Sequence, residues 1–212
     1  MTSPQHLYTI EEYLALDAAA PRGVRHEYAN GQVTAMSGAE PNHELLVARL
    51  LALLDTNMRG RPCRVFGSNL RVGVRASRAY KYPDVSGLCG RAEFEPTRPQ
   101  TFLNPSVLVE VLSPSTESRD RGAKFAHYEL IPTLSEYVLV AQDEMRVERY
   151  LRRGASWQYD RFTHAGDVVT LPSVGCEFRL GDAYEHVEFP DDPPPTMPRL
   201  VREPDAPAWA EA

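Results

Sequence analysis

Two acidic residues and one lysine in the middle of the chain have the types and the spacing of a hydrolytic site. Asp84 follows Pro83, Glu110 lies in the apolar run 107–112, and Lys124 comes 14 residues after Glu110. Carboxylate oxygens bind Mg2+, which neutralises a scissile phosphate, and an ammonium group stabilises the charge that develops during hydrolysis. We therefore predict metal-assisted phosphodiester hydrolysis, with Asp84, Glu110 and Lys124 as catalytic residues and the two acids as metal ligands.

The segment around Glu110 must position these groups. Residues 107–112 are valine- and leucine-rich, which predicts a strand buried on both faces. A carboxylate there is costly to desolvate unless a cation lies nearby. Hydroxyl side chains after the strand can cap a helix that ends near Pro132, namely Ser113, Ser115, Thr116 and Ser118. Asp120, Lys124 and Tyr128 would share one face of that helix.

Three other interpretations of these residues remain open. Asp84 alone could be a turn or cap residue, and Glu110 with Lys124 could be a buried ion pair that closes a core. The two carboxylates could also be the acid and base of a glycoside hydrolase. Such sites usually contain several aromatic side chains, and only Tyr80 and Tyr82 lie near Asp84 in the sequence.

A basic segment precedes Asp84. Residues 56–83 contain no acidic residue, although the whole chain has a net charge of -6. Basic side chains along a strand pair can form a track for phosphates, so we predict contacts with nucleic acid from four of them: Arg71, Arg75, Arg78 and Lys81. The alternative is that they are spaced along solvated strand edges.

Elements near the N-terminus complete the expected framework. Thr9 and Glu12 match a capping box, and Asn30-Gly31 predicts the turn of a hairpin whose first strand carries Glu27. A helix beginning at Pro41 carries His43 in its first turn, where it could face a strand end or simply be solvated.

Four blocks of the sequence resemble the Uma-two family of restriction-endonuclease-like proteins, a branch of the PD-(D/E)XK nuclease superfamily. The similarity covers most of residues 7–189, and the blocks are Pro83-Asp84, Glu110-Val-Leu-Ser-Pro-Ser-Thr, Asp120-x-x-x-Lys124-x-x-x-Tyr128 and Glu136-Tyr-Val. The chain departs from the superfamily's E-x-K pattern, because Leu112 stands where the lysine would be. The resemblance implies that Lys124, on the following helix, replaces it.

The resemblance implies an α/β fold, a mixed α+β sheet with a restriction-endonuclease-like core and added β-hairpins. The core runs helix, three antiparallel strands, helix and a fourth, parallel strand, which we place at 42–58, 63–75, 81–88, 106–112, 118–130 and 135–141. It also implies a DNA endonuclease that uses Mg2+ or Mn2+, acts as a homodimer and draws on four supporting residues: Glu27, His43, Asp120 and Tyr128. A non-catalytic module that keeps the fold to bind nucleic acid or mediate assembly is the alternative.

Composition sets the remaining expectations. The 212 residues suggest one domain over 1–189 and a proline-rich, disordered tail over 190–212. Three cysteines without a CxxC motif suggest reduced thiols in a cytoplasmic protein. We found no signal peptide or membrane span in the sequence, and the acidic balance argues against non-specific coating of nucleic acid.

Overall fold

The structure is a computed structural model that describes residues 6–21, 23–36, 38–114 and 116–189. The tail predicted over 190–212 and the helix-capping role predicted for Ser115 lie outside the described residues.

The described chain contains helices and strands in this order: α1 (Ile10–Ala19), β1 (His26–Ala29), β2 (Gln32–Ala35), α2 (Pro41–Met58), β3 (Cys63–Gly67), β4 (Arg71–Val74), β5 (Ala79–Lys81), β6 (Val85–Cys89), β7 (Phe94–Glu95), β8 (Thr101–Phe102), β9 (Val107–Leu112), α3 (Glu117–Arg119), a π-helical segment (Asp120–Lys124), α4 (Phe125–Tyr128), β10 (Glu136–Ala141), β11 (Val147–Arg153), β12 (Ser156–Phe162), β13 (Val168–Leu171), β14 (Cys176–Arg179) and α5 (Leu180–Ala183).

Two six-stranded sheets organise these elements. The central sheet has the order β12-β11-β10-β9-β6-β3, the flanking sheet has the order β2-β1-β5-β4-β8-β7, and β13 pairs with β14. In the central sheet β3, β6 and β9 are antiparallel neighbours, and β10 runs parallel to β9. With α2 before these strands and α3–α4 between β9 and β10, the predicted core order is confirmed.

Apolar burial explains the central layer. All six residues of β9 are buried, as predicted from its composition. One stripe of α2, formed by Leu46, Leu50, Leu54 and Met58, packs in the same cluster as Val85 of β6. Burying a side chain of this size stabilises the fold by about 1.5–3 kcal/mol, so this interface is a major source of stability.

Two predicted strands are divided in the structure. The predicted strand 63–75 is β3 followed by β4, and the predicted strand 81–88 is split between β5 and β6. The chain passes from the flanking sheet to the central sheet at Tyr82-Pro83-Asp84. Pro83 has no N–H group to donate to a strand ladder, which favours a break in pairing at this point.

The expected local motifs at the N-terminus are present. Thr9 caps α1 with both hydrogen bonds of a capping box. Asn30 and Gly31 join β1 to β2 with φ values of 52° and 80°, the positive values that a two-residue hairpin turn requires.

The structure corrects the expectation of three reduced thiols. Cys63 and Cys89 lie opposite each other in the β3–β6 register and form a disulfide, although 26 residues separate them in the sequence. Sequence spacing alone does not reveal which cysteines a strand register brings together. Cys176 is a free, buried thiol. Among the described helices, none has both the length and the apolar character needed to span a bilayer.

The prediction that Arg71 contacts phosphates is wrong. Its side chain is fully buried, and Nη1 lies 2.7 Å from Oδ2 of Asp17, at the end of α1. Asp17 Oδ2 also accepts a hydrogen bond from the Tyr82 hydroxyl at 2.7 Å. Arg71 therefore attaches α1 to the flanking sheet, and its guanidinium is not available to a ligand.

We expect Arg71→Met to lower the free energy of unfolding by about 3–5 kcal/mol at pH 7, because Asp17 would remain buried without its cation. Urea denaturation followed by circular dichroism measures the change. Arg75→Met is the matched control: Arg75 is exposed in the turn after β4, so its loss should change the free energy by less than about 0.5 kcal/mol. Equal effects of the two substitutions would contradict the assignment.

Candidate active site

A cleft of about 850 Å³ lies beside the predicted catalytic residues. The first turn of α2, the junction before β6, the end of β9 and the π-helical segment all line it, through His43, Asp84, Glu110 and Lys124 among others. Four separate parts of the sequence therefore meet at one concave surface, which is the usual setting of an active site.

Strand register places the two predicted metal ligands side by side. Val85 of β6 pairs with Val109 of β9, so Asp84, one residue before β6, lies next to Glu110. Asp84 Oδ2 accepts a hydrogen bond of 2.8 Å from the backbone N–H of Val111. This bond fixes the Asp84 carboxylate against the strand that carries Glu110.

Lys124 reaches Glu110 from the helical segment, as the sequence predicts. Its Nζ lies 2.8 Å from Glu110 Oε1, and the Tyr128 hydroxyl donates to the same oxygen at 2.9 Å. Leu112, at the position of the missing lysine, packs in an apolar cluster instead. The geometric part of the prediction is confirmed, whereas the catalytic roles of these residues stay predictions.

The helix that carries Lys124 is not the regular helix predicted for 118–130. Residues Asp120–Lys124 form a π-helical segment between α3 and α4. Its widened turn holds both Asp120 and Lys124 in buried positions, and Asp120 Oδ1 lies 3.4 Å from Lys124 Nζ. Such segments are rare and often occur at functional sites.

Glu27 is the anionic centre of the cluster. It is completely buried on β1, and three cationic side chains bind it: Lys124 at 3.3 Å, Lys81 at 3.5 Å and Arg119 at 2.6 Å. The backbone N–H of Tyr82 also donates to its Oε1 at 3.2 Å. The structure thus brings Glu27 to Lys124, and its supporting role stays a prediction.

The structure corrects the role predicted for Lys81. Its side chain is only 9% exposed and its ammonium faces Glu27, so it is a structural cation rather than part of a phosphate track. Arg75 and Arg78 are exposed in the turn between β4 and β5, and their contact with nucleic acid stays a prediction.

The family model described as "Uma2: Putative restriction endonuclease" matches residues 10–183. The chain belongs to the Uma2 family.

Two relatives come from Synechocystis sp. The chain is 33% identical to "Uncharacterized protein slr1290" over 180 residues, which covers 84% of this chain and 92% of that protein. It is 34% identical to "Uncharacterized protein sll1609" over 148 residues, covering 70% and 82% respectively. A solved structure, described as a "putative nuclease belonging to DUF820" from Anabaena variabilis, aligns with a TM-score of 0.68 at 18% identity, over 83% of this chain and 97% of that one. This structural likeness confirms the predicted fold class.

Burial and charge set the protonation of the Uma2 site. Burial raises the pKa of Glu110 well above its usual range, against the opposing effect of Lys124. Burial alone would lower the pKa of Lys124, but Glu110, Glu27 and Asp120 raise it above its ordinary value, so the side chain stays cationic. The site therefore holds a charged ammonium in contact with a buried carboxyl group whose pKa is raised.

His43 joins the site from the first turn of α2. Its Nε2 lies 3.3 Å from Asp84 Oδ2. Burial alone would lower the pKa of His43, but the hydrogen bond to Asp84 raises it above its ordinary value. The structure thus places His43 against Asp84, and its supporting role stays a prediction.

The two acids can accommodate a divalent cation. Asp84 Oδ1 and Glu110 Oε2 form no hydrogen bond with a described residue, whereas the other oxygen of each carboxylate is occupied. Within the described ranges there is no group of three or more His, Cys, Asp or Glu side chains suited to sharing a metal ion. A hard cation such as Mg2+ needs only one or two carboxylates, because it retains several waters. The pair fits such an ion.

Sequence reasoning missed three residues that line the cleft: Arg25, Arg119 and Gln142. Arg119 immediately precedes Asp120, and Arg25 lies two residues before Glu27 on the predicted hairpin. Their closeness to predicted site residues was the available signal. Gln142 follows β10, and no sequence pattern pointed to it.

Glu27→Gln should destabilise the protein by about 3 kcal/mol at pH 7. Burial alone would raise the pKa of Glu27, but Lys124, Lys81 and Arg119 lower it to about 2. A lowered pKa stabilises the folded state above the unfolded pKa of 4.5, and this stabilisation is lost as the pH falls towards 2. Urea unfolding at several pH values should therefore show a smaller difference between the variant and the wild type below about pH 4.

Glu177→Gln is the control, because Glu177 is an exposed residue of β14. This substitution should change the free energy of unfolding little at every pH of the series. If the Glu27→Gln protein is as stable as the wild type at pH 7, the ion pairs of Glu27 with the three cations do not stabilise the fold.

Proposed function

We propose that this Uma2-family protein is a metal-dependent endonuclease that hydrolyses phosphodiester bonds of DNA. The observation that carries the proposal is the contact between the Lys124 ammonium and Glu110, with Asp84 beside them at the wall of the cleft. Membership of a family described as a restriction endonuclease supports the same reaction class.

Asp84 and Glu110 would hold Mg2+ or Mn2+ through their carboxylate oxygens. When bound, such an ion supplies Lewis-acid stabilisation of the scissile phosphate and an acidified water. The hydrogen bond from Val111 orients Asp84, and the Tyr128 hydroxyl orients Glu110. These contacts hold both carboxylates in place before a substrate arrives.

Lys124 would stabilise the negative charge that develops on the phosphate. Its raised pKa keeps the ammonium protonated, and its burial strengthens the interaction because few water molecules screen it. Asp120 and Glu27 also bind the ammonium and fix its position. DNA as substrate, the homodimer and the cytoplasmic location stay predictions from the resemblance and the composition.

We expect Asp84→Asn to abolish Mg2+- or Mn2+-dependent cleavage of plasmid DNA while the protein remains folded. The substitution removes one of the two anionic ligands but keeps a side chain that can still accept the Val111 hydrogen bond. Gel analysis of nicked and linear plasmid measures cleavage, and circular dichroism verifies folding. Asp55→Asn is the control, since Asp55 is exposed on α2 and pairs only with Arg59 in the described structure.

Undiminished cleavage by Asp84→Asn would refute the proposed site.

Titration calorimetry with Mn2+ separates the endonuclease from the non-catalytic alternative. The wild type should release heat that Asp84→Asn does not, whereas a module that has lost its site should bind no metal in either form.

A further inference from the structure

The cleft contains most of the unsatisfied polar atoms found inside the described protein. Six buried side-chain atoms have no hydrogen-bond partner, and four of them belong to residues that line the cleft: His43, Arg119, Asp120 and Gln142. Of these four, Asp120 Oδ1 still has an ionic contact, 3.4 Å from the Lys124 ammonium. A buried polar group without a partner costs about 1–3 kcal/mol. Their concentration in one place indicates a surface completed by a ligand.

Arg119 differs from Arg121, the other arginine of residues 117–128. Its guanidinium makes one described hydrogen bond, from Nη2 to Glu27 Oε2 at 2.6 Å. Its Nε–H is buried without a partner, and Nη1 donates to no described residue. The side chain is 36% exposed at the wall of the cleft. Nη2 is therefore held by Glu27, while Nε–H and Nη1 donate to no described residue.

The charges around Arg119 leave its positive charge only partly compensated. Glu27 is its single described anionic partner, and Glu27 also serves Lys81 and Lys124. Lys124 has two further carboxylates, Glu110 and Asp120. Lys81 is only 9% exposed, so Arg119 is the cation bound to Glu27 that can reach another anion in the cleft. An arginine with free N–H groups is well suited to phosphate oxygens.

We propose that Arg119, anchored by Glu27, binds a backbone phosphodiester of the DNA substrate other than the scissile one. Arg119 and Lys124 bind different oxygens of the Glu27 carboxylate, Oε2 and Oε1. The carboxylate thus separates the two cations, and each meets its own phosphate. The inference rests on the proposed function, since Lys124 is taken as the residue at the scissile group.

The variant Arg119→Gln tests this assignment, with Arg121→Gln as its matched control. Arg121 lies two residues further along the chain and is 29% exposed, but both Glu117 and Glu148 already bind it, and it does not line the cleft. Thermal unfolding establishes that both variants are folded. Should Arg119→Gln fail to fold, Arg119→Lys keeps a charge beside Glu27 while lacking the guanidinium fork.

The first measurement is the affinity for a fluorescent DNA duplex in Ca2+, by anisotropy, between about 50 and 200 mM salt. Arg119→Gln should bind about tenfold more weakly than the wild type, with a log–log salt slope smaller by about one, as expected for one lost phosphate contact. Arg119→Lys should lose part of the affinity. Arg121→Gln should match the wild type. Equal affinity and slope for wild type and Arg119→Gln, or equal affinity for Arg119→Lys where that variant is used, would overturn the inference.

The second measurement is hydrolysis of bis(p-nitrophenyl) phosphate with Mn2+. This substrate has one phosphodiester and no neighbouring phosphate, so Arg119→Gln should lose a much smaller factor in kcat/KM on it than on DNA. An equal loss on both substrates would overturn the inference by assigning Arg119 to the scissile group or to folding. A wild type that hydrolyses neither substrate would refute the proposed function, and the binding measurement would still decide the role of Arg119.

Discussion

The buried ammonium of Lys124 is the interaction on which the site depends. It lies within 3.4 Å of carboxylate oxygens from Glu27, Glu110 and Asp120. Without this cation, three acidic groups would face one another in a medium where charge repulsion is only weakly screened. With it, the protein can keep Glu110 buried in a strand whose other residues are apolar.

The same interaction connects the two large sheets. Glu27 belongs to β1 of the flanking sheet, and Glu110 belongs to β9 of the central sheet. Lys124 contacts both from the helical segment that follows β9. The chain also crosses between the sheets several times, and the crossing at Pro83 delivers Asp84 to the point where they meet. The architecture therefore determines where acids and a lysine can converge.

Both acidic and basic side chains line the cleft. Asp84, Glu110 and Asp120 supply carboxylates, while Arg25 and Arg119 supply guanidinium groups on the same surface. A protein of net charge -6 can present such a local arrangement, since a ligand in the cleft experiences the nearest charges more strongly than distant ones. Overall composition was consequently a poor guide to what this surface binds.

The sequence by itself determined the local elements and singled out Asp84, Glu110 and Lys124 as candidates, whereas strand register and the position of the following helix bring the three together. Period, turn residues and caps act over a few residues, so the capping box at Thr9, the Asn30-Gly31 turn and the buried strand 107–112 could be predicted. Only the tertiary structure decided which basic side chains are exposed and so can contact a ligand. The sequence suggested that Arg71 and Lys81 are surface cations. In the fold Arg71 is buried against Asp17, and Lys81 is buried against Glu27. The Cys63–Cys89 disulfide likewise depends on strand register, a long-range property that residue spacing does not encode.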